Sequence, residues 1–86
     1  MKLISDNNLK IKTDSYYNRV LEHPFTLDIN GDTHEVKADI FIECDDVLDV
    51  LYIKNFDVDL ITDDGFYTEE QEEEIEEFLT KTLRPC

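Results

Sequence analysis

Carboxylates dominate the chemistry this sequence can offer. Asp57 and Asp59 stand two apart in an alternating stretch, which places them on one face of a strand, roughly 6–7 Å apart by strand rise. Asp63 and Asp64 follow in a turn. Glu69, Glu70, Glu72, Glu73, Glu74, Glu76 and Glu77 then crowd a helical stretch that rises about 1.5 Å per residue. Paired acids serve general acid–base catalysis when a pocket holds them. Acids this dense on a helix surface are ordinarily solvated. What they offer is a regular array of negative charge, of the kind a phosphate backbone presents.

The other reactive types are sparse. His23 and His34 flank the apolar alternation at residues 25–29, and no serine or cysteine stands at a suggestive spacing from either. Two glycines rule out a glycine-rich phosphate loop. Thr26, Asp28, Asn30 and Gly31 fit the start of a calcium-binding loop, but Lys37 occupies the position that needs a bidentate acid. Cys44 and Cys86 are half the chain apart and make no zinc motif. The sequence therefore predicts no enzyme, no catalytic residue, no metal site and no cofactor. Cys86, the last residue, is expected to be open to adventitious cross-linking.

Charge is distributed unevenly. Residues 43–77 hold fifteen acids against the single base Lys54, a net of −14, which equals the formal charge of the whole chain. Such a field repels nucleic acid and anionic membrane and attracts basic protein surfaces at long range. Eight Lys and Arg against twenty-two acids cannot supply the counterion release that nucleic-acid binding requires. Ordered like charge is also self-repelling, and a thin core has little stability to spare. A use for that cost and a plain solubility role are weighed equally at this point.

These carboxylates must be carried by a small framework. With 86 residues, 41% of them apolar, the chain is read as one folded domain, residues 1–86. No leader-like or membrane-length apolar run is present, and two cysteines are too few for a disulfide framework, so a reduced cytoplasm is the expected location. Leu9 and Ile11 alternate with Lys10 and Lys12, which predicts a strand at residues 9–13 after an Asp6-Asn7-Asn8 turn. Residues 14–22 read as helix or strand equally well. Phe25, Leu27 and Ile29 alternate up to Asn30-Gly31, a tight-hairpin signal. The return strand puts Val36, Ala38, Ile40, Ile42 and Cys44 on one face, and Asp45-Asp46 is expected to end it.

A third strand is read over residues 48–61. Phe56, Val58 and Leu60 alternate, but Lys54 shares their phase while Leu51 and Ile53 fall on the opposite one. Either a bulge near Lys54 brings Leu51 and Ile53 onto the core face, or the first half is buried on both sides. Thr68-Glu69-Glu70-Gln71 fits a capping box, and a helix follows to about Leu83, before Pro85. Its apolar stripe is Ile75, Phe78, Leu79, Thr82 and Leu83. The predicted fold class is α+β: an antiparallel sheet of three to four strands packed by a C-terminal helix.

The acid-rich stretch over residues 45–77, its run Thr68-Glu69-Glu70-Gln71-Glu72-Glu73-Glu74-Ile75-Glu76-Glu77-Phe78-Leu79, and the small size resemble the short acidic proteins that bacteriophages encode to disarm host defence. DNA-mimic anti-restriction proteins and anti-CRISPR proteins are of this type. The resemblance is one of type and assigns no residue by position. It implies occupation of the basic channel of a nuclease or other nucleic-acid-binding protein, in the host bacterial cytoplasm.

The expected function is thus an acidic protein inhibitor that binds a basic, nucleic-acid-binding surface of a host protein. Its expected contacts are Asp57, Asp59, Asp63, Asp64, Glu69, Glu70, Glu73, Glu74 and Glu77, with no direct binding to nucleic acid or membrane. The alternative is a protein-interaction module or homodimer with an apolar interface built from Phe41, Leu51, Ile53 and Ile61, the acidic charge serving solubility. A small hydrolase or metal protein would need a cleft at His23 or His34.

Overall fold

A computed structural model describes residues 1–62 and 65–84. Four strands form one antiparallel sheet in the order β1-β2-β3-β4, with β1 at Lys2–Ser5, β2 at Tyr17–Ile29, β3 at Asp32–Val47 and β4 at Val50–Ile61. One helix, α1 at Glu69–Leu83, packs along β4. This is the α+β architecture expected. Phe25, Leu27, Val36, Ala38, Ile40, Ile42, Cys44, Phe56 and Val58 from the sheet meet Ile75 and Leu79 from the helix in one buried core. The opposite face of the sheet has no covering layer among the described residues.

The two hairpins use the same turn geometry with different residues. Asn30 and Gly31 hold φ of 53° and 88°, the paired positive angles of the turn that suits a right-handed strand twist. Asp28 Oδ1 accepts from the Gly31 N–H at 2.8 Å and braces the turn. At the β3–β4 connection Leu48 and Asp49 hold φ of 52° and 65°. No glycine marks this turn. The strand end expected at Asp45-Asp46 is corrected accordingly: β3 continues to Val47, with Asp45 opposite Tyr52, Asp46 opposite Leu51 and Val47 opposite Val50. The unbroken ladder and the apolar Leu51 and Ile53 across it outweigh the weak strand preference of two aspartates.

Bulges explain the two stretches where the period was ambiguous. In β4, Glu43 pairs with Asn55 and Cys44 with Ile53, which leaves Lys54 as the extra residue. The phase flips there, so Leu51 and Ile53 pack against the core while Val50 and Tyr52 are exposed. The bulge alternative is the one realised. In β2, Val20 pairs with Ile40 and His23 with Ala38, so Leu21 and Glu22 together oppose Asp39. Glu22 takes a φ of 51°, and its N–H donates to Asp39 Oδ1 at 2.7 Å. Residues 17–22 are strand and 14–16 a bend before it; Tyr16, Tyr17 and Leu21 are exposed, so their helix-like spacing marks no buried face.

The first strand lies on the other side of its turn from where it was expected. Residues 9–13 are not strand; β1 precedes the turn, with Lys2 opposite Asp28, Leu3 opposite Leu27 and Ser5 opposite Thr26. Two residues along from Thr26, in the same phase, Pro24 has no N–H to offer, and its carbonyl accepts from Asn7 Nδ2 at 3.0 Å. The ladder stops there. Asn7 and Asn8 then turn the chain with φ of 49° and 60°. Leu9 and Ile11 still pack against the core, so their alternation reports burial without ladder pairing.

The helix begins as its sequence dictates. Thr68 Oγ1 accepts from the Gln71 N–H at 3.1 Å, and Gln71 Oε1 accepts from the Thr68 N–H at 3.0 Å. Glu69, Glu70 and Glu72 sit in the first turn, where the helix dipole favours them. Ile75 and Leu79 are buried, with Phe78 and Leu83 half-buried beside them. Thr82 is exposed, which narrows the expected stripe by one residue. Among the described residues no helix is long and apolar enough to cross a membrane.

Candidate functional site

The carboxylates divide by where their backbones put them. Asp57 and Asp59 project from β4 on the uncovered face of the sheet, because Phe56 and Val58 between and beside them are buried under the helix. Asp57 lies opposite Phe41, and Asp59 lies directly opposite Asp39. On α1 the helical repeat separates Glu73, Glu76 and Glu77 from Glu74. The first three line a groove of about 380 Å³ between the helix and the free edge of β4, together with Asp57, Val58, Thr80 and Lys81. Lys81 is the only base in that lining. Its Nζ is 2.9 Å from Glu77 Oε1, four residues earlier on the helix. The hydrogen bond and charge of Lys81 lower the Glu77 pKa below the ordinary glutamate value.

The five glutamates expected as contacts, Glu69, Glu70, Glu73, Glu74 and Glu77, are all exposed, as are Asp57 and Asp59. They do not form one patch. Asp57, Glu73 and Glu77 share the edge groove. Glu74 lines a separate cavity of about 260 Å³ with Met1, Asp32, His34 and Tyr67. Glu69 and Glu70 stand in the first helical turn. Asp63 and Asp64 lie outside the described residues.

Two acids absent from that expected set hold the edge together. Glu76 Oε1 accepts from the Leu60 N–H at 3.0 Å, so a helix carboxylate satisfies an edge-strand donor. Glu72 Oε1 accepts from Thr62 Oγ1 at 2.8 Å. Both glutamates are half-buried. Each leans toward β4 from the border of the apolar stripe, and that border position is the signal in the sequence that could have singled them out.

Each histidine contacts a neighbouring segment, and His34 also lines the cavity of about 260 Å³, so a cleft is present at His34. His23 Nε2–H donates to the Asp6 carbonyl at 2.6 Å and stacks edge-on against Phe25. His34 Nδ1 is 2.8 Å from the Tyr67 hydroxyl, which ties the segment before the helix to β3. Partial burial raises the Tyr67 pKa. Among the described residues, no three His, Cys, Asp or Glu side chains converge as a metal ligand set.

The apolar residues proposed for a dimer seam separate too. Leu51 and Ile53 pack on the core through the Lys54 bulge. Phe41 and Ile61 remain on the open face. Ile61 lies opposite Lys37, four positions along from the Phe41–Asp57 pair, or roughly 13 Å by strand rise. Asp39, Asp57 and Asp59 intervene. A concavity of about 420 Å³ beside Phe41 is lined by Tyr17, Arg19, Glu43, Asn55 and Asp57. Exposed apolar side chains gather instead at the β3–β4 tip, where Leu48 is 92% exposed between Val47 and Val50.

Compared with protein-family models, with curated proteins and with solved structures, the chain matches none.

Proposed function

We propose that the chain is an acidic protein inhibitor that occupies a basic, nucleic-acid-binding surface on another protein, of the anti-CRISPR or anti-restriction type. What carries this reading is the groove at the β4 edge. There, carboxylates from two rigid elements converge, and the one base in the lining is already engaged. Seven glutamates occupy the nine residues 69–77, about 13.5 Å of axis, or one carboxylate per ~1.9 Å, distributed around the helix. Duplex DNA carries one charge per about 1.7 Å of its axis. A surface evolved to hold phosphates would meet comparable charge density here, on a scaffold that its enzymatic chemistry cannot cleave. Association would be steered by the field and weakened by salt.

The test is inhibition of DNA cleavage by a guide-RNA-directed nuclease and by a restriction endonuclease across a salt series. Each is assayed with the natural chain and with a variant carrying Asp57→Lys, Glu73→Lys and Glu77→Lys. Inhibition that fades with salt and disappears in the variant is the expected result. If neither enzyme is inhibited, or the variant inhibits as well as the natural chain, the reading fails.

A further inference from the structure

β4 is an edge of the sheet, and the phase of its free backbone groups follows from two hydrogen bonds. The Cys44 N–H donates to the Tyr16 carbonyl at 2.8 Å, so the even-numbered residues of β3 direct their backbone groups toward β2. Antiparallel alternation then directs Phe41, Asp39 and Lys37 toward their partners Asp57, Asp59 and Ile61. Phe56, Val58 and Leu60 consequently turn their N–H and C=O groups away from the sheet. The Leu60 N–H confirms the phase, because it reaches Glu76. Among the described residues no side chain accepts from the N–H of Phe56 or Val58. Their side chains are anchored in the core, which fixes the position of this stretch of edge.

The other edge is different. β1 has only four residues and an irregular register, while the regular run of β4 beyond its bulge is 55–61. Edge strands with free backbone groups are templates for a further strand. Carboxylates flank this one on both sides, with Asp57 and Asp59 toward the open face and Glu73 and Glu77 toward the helix. A second copy of this chain is a poor occupant, since pairing two β4 edges would bring these carboxylates against their own kind. We infer that the β4 edge at Phe56 and Val58 receives an extended, Lys- or Arg-bearing segment of the partner protein as a fifth strand. The inference rests on the proposed basic partner and names the form in which that partner engages. Backbone pairing fixes the segment's position, and the flanking acids select its charge.

The experiment uses the whole chain, isotope-labelled, and three acetylated, amidated peptides. One alternates lysine and valine over seven residues. The second has the same sequence with the backbone nitrogens of its central five residues methylated, which keeps charge and removes strand pairing. The third alternates glutamate and valine. The expected result is that the first peptide slows amide exchange of Phe56 and Val58 at least tenfold, leaves Leu60 little changed, and binds at least tenfold tighter than the methylated form. The glutamate peptide should not bind. Equal binding by the methylated peptide would overturn strand addition while leaving an electrostatic partner surface intact. Binding by neither lysine peptide at low salt would overturn both readings. Protection of Phe56 and Val58 that grows with protein concentration, without peptide, would assign the edge to a second copy and overturn the inference.

Discussion

Replacing the β3–β4 turn by its better-suited counterpart, Leu48→Asn with Asp49→Gly, should stabilise the protein. Leu48 and Asp49 hold φ of 52° and 65°. A left-handed conformation costs a residue such as leucine roughly 1–2 kcal/mol, and asparagine and glycine adopt it far more readily. Leu48 is 92% exposed, so its removal gives up almost no burial. Against the gain stands the extra unfolded-chain freedom of the new glycine, about 0.5–1 kcal/mol. The net expectation is about 1 kcal/mol, which for a domain of 60–100 residues raises the unfolding midpoint by roughly 4–8 °C. Thermal unfolding followed by far-ultraviolet circular dichroism measures it, and urea unfolding should give an unchanged slope. The β2–β3 turn supplies the reciprocal test. Asn30→Leu with Gly31→Asp should destabilise by a comparable amount, and a Cβ at Gly31 meets no atom within 4 Å, so the effect is conformational. An unchanged or lower midpoint at the first turn, or no loss at the second, would refute the assignment of strain to Leu48.

Glu76→Ala removes the acceptor of the Leu60 N–H and should cost about 1 kcal/mol, since the freed donor gains partial access to water; faster amide exchange confined to Leu60 and its neighbours would identify the cause. Asp59→Thr removes a like-charge pair with Asp39 and should stabilise by about 0.2–1 kcal/mol in urea unfolding, with the gain shrinking at high salt. Glu77 has its folded pKa depressed by Lys81, so its contribution to stability is present above the unfolded glutamate pKa and is lost as pH falls through the folded one. Carboxyl-carbon NMR titration should place its midpoint below that of an ordinary glutamate, and Lys81→Met should return it to the ordinary range.

What the sequence disclosed depended on how local each signal was. The Asn30-Gly31 turn, the inward phase of Val36 to Cys44 and the Thr68–Gln71 capping box each rest on neighbours within a few residues, and each is found where it was read. The β3–β4 turn was hidden because Leu48 and Asp49 are driven into positive φ by the pairing on either side. The bulge at Leu21 and Glu22 is set by the partner Asp39 and leaves no signal in the local spacing. The place where β1 stops is not legible locally, because the donor missing from Pro24 acts across the sheet. The candidate site shows the same division. Exposure of Glu69, Glu70, Glu73, Glu74 and Glu77 follows from the helical repeat alone. Which of them face β4, and that Glu76 reaches its backbone, depends on how α1 lies on the sheet.

A long edge strand and a dense acidic surface are each open to a plain reading. Charge near an edge keeps copies from pairing, and acids on a helix keep a protein dispersed. At the β4 edge the two features bear on each other. Were the acids there only to block the edge, the outward donors could be left to water. Instead Glu76 satisfies the donor of Leu60, while Val58 and Phe56, two and four residues away, are left without a side-chain acceptor among the described residues. Asp57 sits between those two, and Glu73 and Glu77 line the same groove as Val58. The repulsion that bars a second acidic copy is attraction for a basic strand. On the proposed reading one arrangement of charge would serve both exclusion of self and selection of a partner, and the two readings differ in whether a lysine- or arginine-bearing strand protects Phe56 and Val58.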